Sequence, residues 1–92
     1  MERQRPKNLP AKLLAVRHRL NLSQAQMVKR LGLNMHYSRV SEFELGRRFP
    51  PVYVLLAYAR LAGVHIDDLV DDSIVPMLVV QGLSTETQGL SD

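Results

Sequence analysis

Ninety-two residues, 46% of them hydrophobic, make one small domain, of a size whose core is marginal unless helices pack efficiently or a second copy of the chain contributes surface. The absence of cysteine excludes a disulfide framework, a thiolate metal site and a cysteine nucleophile. The net charge of +3 conceals a split, because residues 1–60 hold all 12 Lys and Arg against three glutamates whereas residues 61–92 hold six acids and neither Lys nor Arg.

The chain opens on a polar, basic arm over residues 1–8, carrying Arg3, Arg5 and Lys7. Leu9-Pro10 suits a helix entry, since proline is tolerated in the first turn, and Leu13, Val16, Arg17 and Leu20 then fall at helical spacing, predicting a first helix over about residues 10–20. The second helix has the clearest start: Ser23 as N-cap with Gln26 three residues on spells a capping box, and Leu22 can staple onto Met27. Met27, Val28 and Leu31 are its expected buried stripe, and Gly32 supplies a left-handed end. A third helix is predicted over roughly Tyr37–Leu45, with Val40 and Phe43 buried and Gly46 closing it. Pro50-Pro51 begins a fourth, whose Val52, Leu55, Leu56, Ala59 and Ala62 repeat at helical spacing up to Gly63. A short fifth helix, about Ile66 to Val70, places Asp67 and Asp68 where carboxylates favour the helix dipole.

Beyond Asp72 an apolar run interrupted by Pro76 suits an edge strand or a hydrophobic arm. The expected organisation is a basic arm (1–8), one all-α five-helix unit (9–72), a dimerisation arm (73–81) and a disordered polar tail (82–92).

The third helix carries the chemistry. A B-DNA major groove, about 12 Å wide, admits one helix that is anchored on one side and studded with hydrogen-bonding groups on the other. Tyr37, Ser38, Arg39, Ser41 and Glu42 supply those groups. The second helix of such a pair crosses the sugar-phosphate backbone, offering the first-turn N–H groups after Ser23 and the Gln24 amide to a phosphate. Lys29 and Arg30, at its far end, read equally as solvated surface. Glu42 has two uses: accepting from a cytosine amino group, or pairing with Arg39 or Arg47-Arg48.

From about Leu13 to Leu69 the chain resembles the helix-turn-helix domain of the phage-repressor (XRE) family. The residues that carry the likeness are Arg17; Leu22-Ser23-Gln24; Leu31-Gly32-Leu33; Val40-Ser41-Glu42-Phe43-Glu44; Gly46-Arg47-Arg48 with Pro50; and Leu61-Ala62-Gly63-Val64 leading to Asp67-Asp68-Leu69. The resemblance implies a five-helix fold that binds operator DNA as a dimer without a cofactor. It maps a structural ion pair to Arg17 and Glu44, a phosphate contact to Gln24, base contacts to Tyr37, Ser38 and Glu42, and backbone contacts to Arg47 and Arg48. One departure stands out. Gly32 to Gly46 spans fourteen steps, two more than the family commonly uses, so the excess must lie in Asn34-Met35-His36 or lengthen the start of the helix.

Nothing in the chain points to catalysis or to a metal: His18, His36 and His65 are too scattered for a local ligand pair, and neither a Ser-His-Asp set nor a phosphate-cradling glycine loop occurs. Met27, Met35 and Met77 read as core or interface filling. Five short helices enclose the apolar residues up to Val70, leaving Ile74, Val75, Met77, Leu78, Val79 and Val80 as the expected dimer interface, with folding back onto the helices as the alternative. The expectation is a DNA-binding regulator, most simply a repressor on a pseudo-palindromic site, cytoplasmic and on the nucleoid when bound, with no membrane partner. Two alternatives are an antitoxin-type or protein-binding module, which grips another protein through its apolar arm, and an RNA-binding helical module.

Overall fold

The computed structural model describes residues 6–73. These form five helices in chain order: α1 (Leu9–Arg19), α2 (Gln24–Leu31), α3 (Ser38–Glu44), α4 (Val52–Ala62) and α5 (Ile66–Val70). Arg3, Arg5 and the apolar run Ile74–Val80 lie outside the described residues. Among the described residues no helix is long and apolar enough to cross a membrane.

Local chemistry sets the helix ends. Ser23 Oγ accepts the Gln26 N–H at 3.1 Å while Gln26 Oε1 accepts the Ser23 N–H at 2.8 Å, so two groups that the first turn of α2 leaves without intrahelical partners are satisfied reciprocally. Gly32 ends the helix at φ +70°, a conformation that costs an L side chain 1–2 kcal/mol or so. Gly46 has both constraints: its φ is +75°, and a Cβ there would meet Pro10 Cγ of α1 at 3.4 Å. At α5, Asp68 Oδ2 accepts the His65 N–H at 3.0 Å, the favourable placement of a carboxylate at a helix start.

The core joins Leu9, Leu13 and Val16 of α1, Met27 and Leu31 of α2, Phe43 of α3, Val54, Leu55, Tyr58 and Ala59 of α4, and Leu69 of α5. The buried face of α4 is rotated from the expected stripe. Val52 is 64% exposed, whereas Val54 and Tyr58 are buried, because α4 is apolar nearly all round and its neighbours α1, α2 and α5, rather than its own periodicity, select the face.

The least expected core member is Lys12, 3% exposed. Its ammonium donates to the carbonyls of Asp68 at 2.8 Å and Asp71 at 3.0 Å, satisfying the C-terminal end of α5, where a cation also complements the helix dipole. Burial pulls the Lys12 amine below its ordinary range, opposed by Asp72, Asp71 and Asp68. Asp72 completes the clasp. Its carboxylate accepts the N–H groups of Lys7 at 2.8 Å and Asn8 at 3.0 Å, capping α1, whose first turn contains no acid of its own. Those two bonds hold the Asp72 carboxyl below the usual carboxylate range. Lys12→Met, which keeps the buried stem and removes the ammonium, is expected to cost about 1.5–3 kcal/mol, read as a lower urea midpoint at unchanged slope.

Candidate nucleic-acid interface

The placement of α3 rests on one carboxylate. Glu44 Oε2 accepts from Arg17 Nε at 2.7 Å, and Glu44 Oε1 accepts from Arg17 Nη2 at 3.0 Å and from Gln24 Nε2 at 3.2 Å. Arg17 Nη1 also donates to the Leu22 carbonyl at 3.0 Å. One acid therefore ties α1 and α2 to the end of α3, through the two-pronged geometry in which guanidinium and carboxylate bind most strongly. The side chains are 14% and 5% exposed, and the bond to Glu44 pushes the Arg17 guanidinium above its already high range.

Tyr58 sits beneath this cluster. Its ring is fully buried, and among the described residues its Oη is the buried side-chain polar atom with no hydrogen-bond partner. Burial, and then the nearby Glu44 charge, raise the phenol well above its ordinary value, with Arg17 opposing. A folded-state value raised by burial leaves stability independent of this group below about pH 10, the ordinary tyrosine range, and makes stability fall as pH rises toward the higher value, because the unfolded phenol ionises first. Tyr58→Phe is thus expected to leave stability unchanged or raise it by up to about 1 kcal/mol at neutral pH, and to flatten its alkaline decline. Thermal unfolding across pH measures both.

Val40 and Phe43 anchor α3 in the protein. Ser38, Ser41, Glu42 and Leu45, at i, i+3, i+4 and i+7, line the opposite face. Ser38 and Arg39 are exposed, Ser41 and Glu42 half-buried, and Leu45 is 61% exposed. Tyr37, the N-cap residue, is 50% exposed. Arg47 and Arg48 follow in the exposed loop. Glu42 Oε1 accepts from Arg48 Nε at 2.8 Å, with Arg39 Nε at 3.8 Å from the same oxygen, so the carboxylate engages the two guanidinium groups. Ser23 Oγ is committed to the α2 cap and Gln24 Nε2 to Glu44, while both residues remain at the start of α2 beside α3.

Helix α3 begins at Ser38, leaving residues 32–37 to connect it to α2. Leu33 and Met35 pack against the core while Asn34 and His36 face solvent, so alternating burial pins the turn. His36 is the residue that composition did not single out: its Nδ1 accepts the Ser38 N–H at 3.1 Å and lies 2.9 Å from Ser38 Oγ. The sequence signal for it is indirect: Tyr37 has no side chain able to cap, which leaves the first-turn N–H groups to another residue or to water.

A family model described as a helix-turn-helix domain matches residues 10–72. The chain belongs to that helix-turn-helix family. The match runs from the first turn of α1 to the clasp after α5 and so takes in all of the helix pair α2–α3. No curated protein matches the chain. Among the described residues of this helix-turn-helix domain, no group of three or more His, Asp or Glu side chains is placed to hold a metal ion.

Proposed function

We propose that this protein is a sequence-specific transcriptional regulator, a repressor that binds a pseudo-palindromic operator as a homodimer, with α3 as the reader. What carries the proposal is the two-sidedness of α3: Val40 and Phe43 are buried and Glu44 is bolted to α1 and α2, while Ser38, Arg39, Ser41 and Glu42 stand on its accessible sides beside Arg47 and Arg48. Such a helix presents donors and acceptors to base edges, and the two loop arginines suit phosphate oxygens, which position a protein without specifying sequence. Ser23, Gln24 and Tyr37 flank this surface on the phosphate side and at its leading end.

The homodimer is supported by the sequence, in which Ile74, Val75, Met77, Leu78, Val79 and Val80 form an apolar run that one small helical domain does not need. Pairing there would offer two readers to successive major grooves about 34 Å apart. A protein-binding, antitoxin-type role is the second reading, favoured by Val52 and Tyr53, 64% and 63% exposed at the start of α4.

Selection of duplexes from a random pool, followed by titration across salt, tests the proposal. A symmetric preferred site whose binding weakens steeply with salt is expected. Salt-sensitive binding with no sequence preference would contradict a specific regulator, and preference for single-stranded or structured RNA over duplex DNA would replace it.

A further inference from the structure

We propose that His36 both fixes the start of the reading helix and reads a guanine at its leading end. The inference rests on the DNA-reading role proposed above for α3.

Helix α3 lacks the usual cap: Tyr37, its N-cap residue, makes no side-chain cap bond. His36, one residue earlier, takes over. Its carbonyl accepts the Arg39 N–H at 3.0 Å and its Nδ1 accepts the Ser38 N–H at 3.1 Å, so two first-turn donors are satisfied by one residue. This bond also settles the ring's tautomer. A backbone N–H can only donate, so Nδ1 must present its lone pair, and a neutral imidazole then holds its proton on Nε2. The Ser38 hydroxyl, 2.9 Å away, can donate to the same Nδ1 without changing that assignment.

Nε2–H is consequently a donor with a defined direction on an exposed residue, and no other described residue accepts from it. The ring is also held in place: it stacks on Tyr37 with centroids 4.4 Å apart and planes 28° from parallel. A donor already held in place loses less freedom when it binds. The major-groove edge of guanine offers two adjacent acceptors, O6 and N7, whereas cytosine offers an amino donor there. One fixed N–H donor therefore fits guanine best and cytosine worst. The α2–α3 turn over residues 32–37 is what places His36 here, so the turn sets specificity as well as spacing.

The test uses the full chain and two readouts. Long-range proton–nitrogen spectra of the free wild-type protein at mildly alkaline pH should show His36 protonated at Nε2 and bare at Nδ1; the opposite tautomer overturns the proposal. Random-pool duplex selection should then give a guanine preference at one edge of each half-site. In His36→Asn, whose side-chain oxygen can still take the Ser38 N–H, helix content should persist while that preference falls about fivefold, the effect of one net hydrogen bond. Unchanged preference in His36→Asn overturns the role of His36 and leaves α3 as reader. A wild-type chain that selects no duplex sequence overturns both.

Discussion

Glu44→Ala is expected to destabilise the domain by about 3 kcal/mol, the range for removing one partner of a largely buried ion pair. The cost arises less from the lost attraction than from what remains. Arg17, its side chain 14% exposed, would keep a charge with only the Leu22 carbonyl as acceptor, and Gln24 would lose its partner as well. Replacing both ends with apolar residues of similar size, Arg17→Met with Glu44→Leu, should cost less than either single change, because no charge is then stranded. Urea unfolding of the three variants measures this, with the midpoint moving at constant slope. A double variant as damaged as the sum of the singles would mean that Arg17 and Glu44 act independently, and would contradict a coupled pair. Gln24 makes the network more than a clamp: the same carboxylate that fixes α3 also holds the first side chain of α2, so Glu44→Ala should disturb both helices of the pair.

The second large effect concerns the proposed sorting of contacts on α3. Ser38→Ala with Arg39→Ala is expected to flatten base preference, each lost base-reading contact costing about 1–3 kcal/mol, roughly five- to 150-fold in relative affinity. Arg48→Ala should instead weaken binding to all duplexes alike and lower the salt slope by about one. The Glu42–Arg48 contact at 2.8 Å sharpens that expectation. Removing Arg48 also leaves the Glu42 carboxylate less compensated, so the loss should exceed that of an isolated arginine. Glu42→Gln should accordingly tighten non-specific binding, and a Glu42→Gln variant that weakens binding at one base position would show instead that the carboxylate reads cytosine. Titrations of paired matched and scrambled duplexes at several salt concentrations separate these outcomes.

Much of the scaffold is legible in the residues because short-range chemistry dictates it. The Ser23–Gln26 capping box needs only four residues to specify, and Gly32, Gly46 and Gly63 mark helix ends because each adopts a positive φ. The five helices fall within a residue or two of their expected bounds for that reason. The Arg17–Glu44 pair spans 27 residues, and no local rule joins them; in the sequence only the family resemblance points to it.

What stayed hidden has tertiary causes. In α4 the run VYVLLAYARLA offers no polar stripe to mark the outward side, so the choice of Val54 and Tyr58 over Val52 for the core belongs to the neighbouring helices. Lys12 reads as surface in any hydropathy pattern, and its burial follows from the carbonyls of Asp68 and Asp71, 56 and 59 positions away. His36 carries no local signature of its own, because its role depends on what Tyr37 does not supply.

The central claim is that the accessible side of α3 is the surface that meets DNA. Backbone amide shifts followed while the isotopically labelled protein is titrated with a duplex from the selected pool test it most directly. The largest changes are expected at Ser38, Arg39, Ser41, Arg47 and Arg48 and in the first turn of α2, with α5 and the Asp72 clasp little affected. Changes concentrated on α4 and α5, with α3 unmoved, would contradict it.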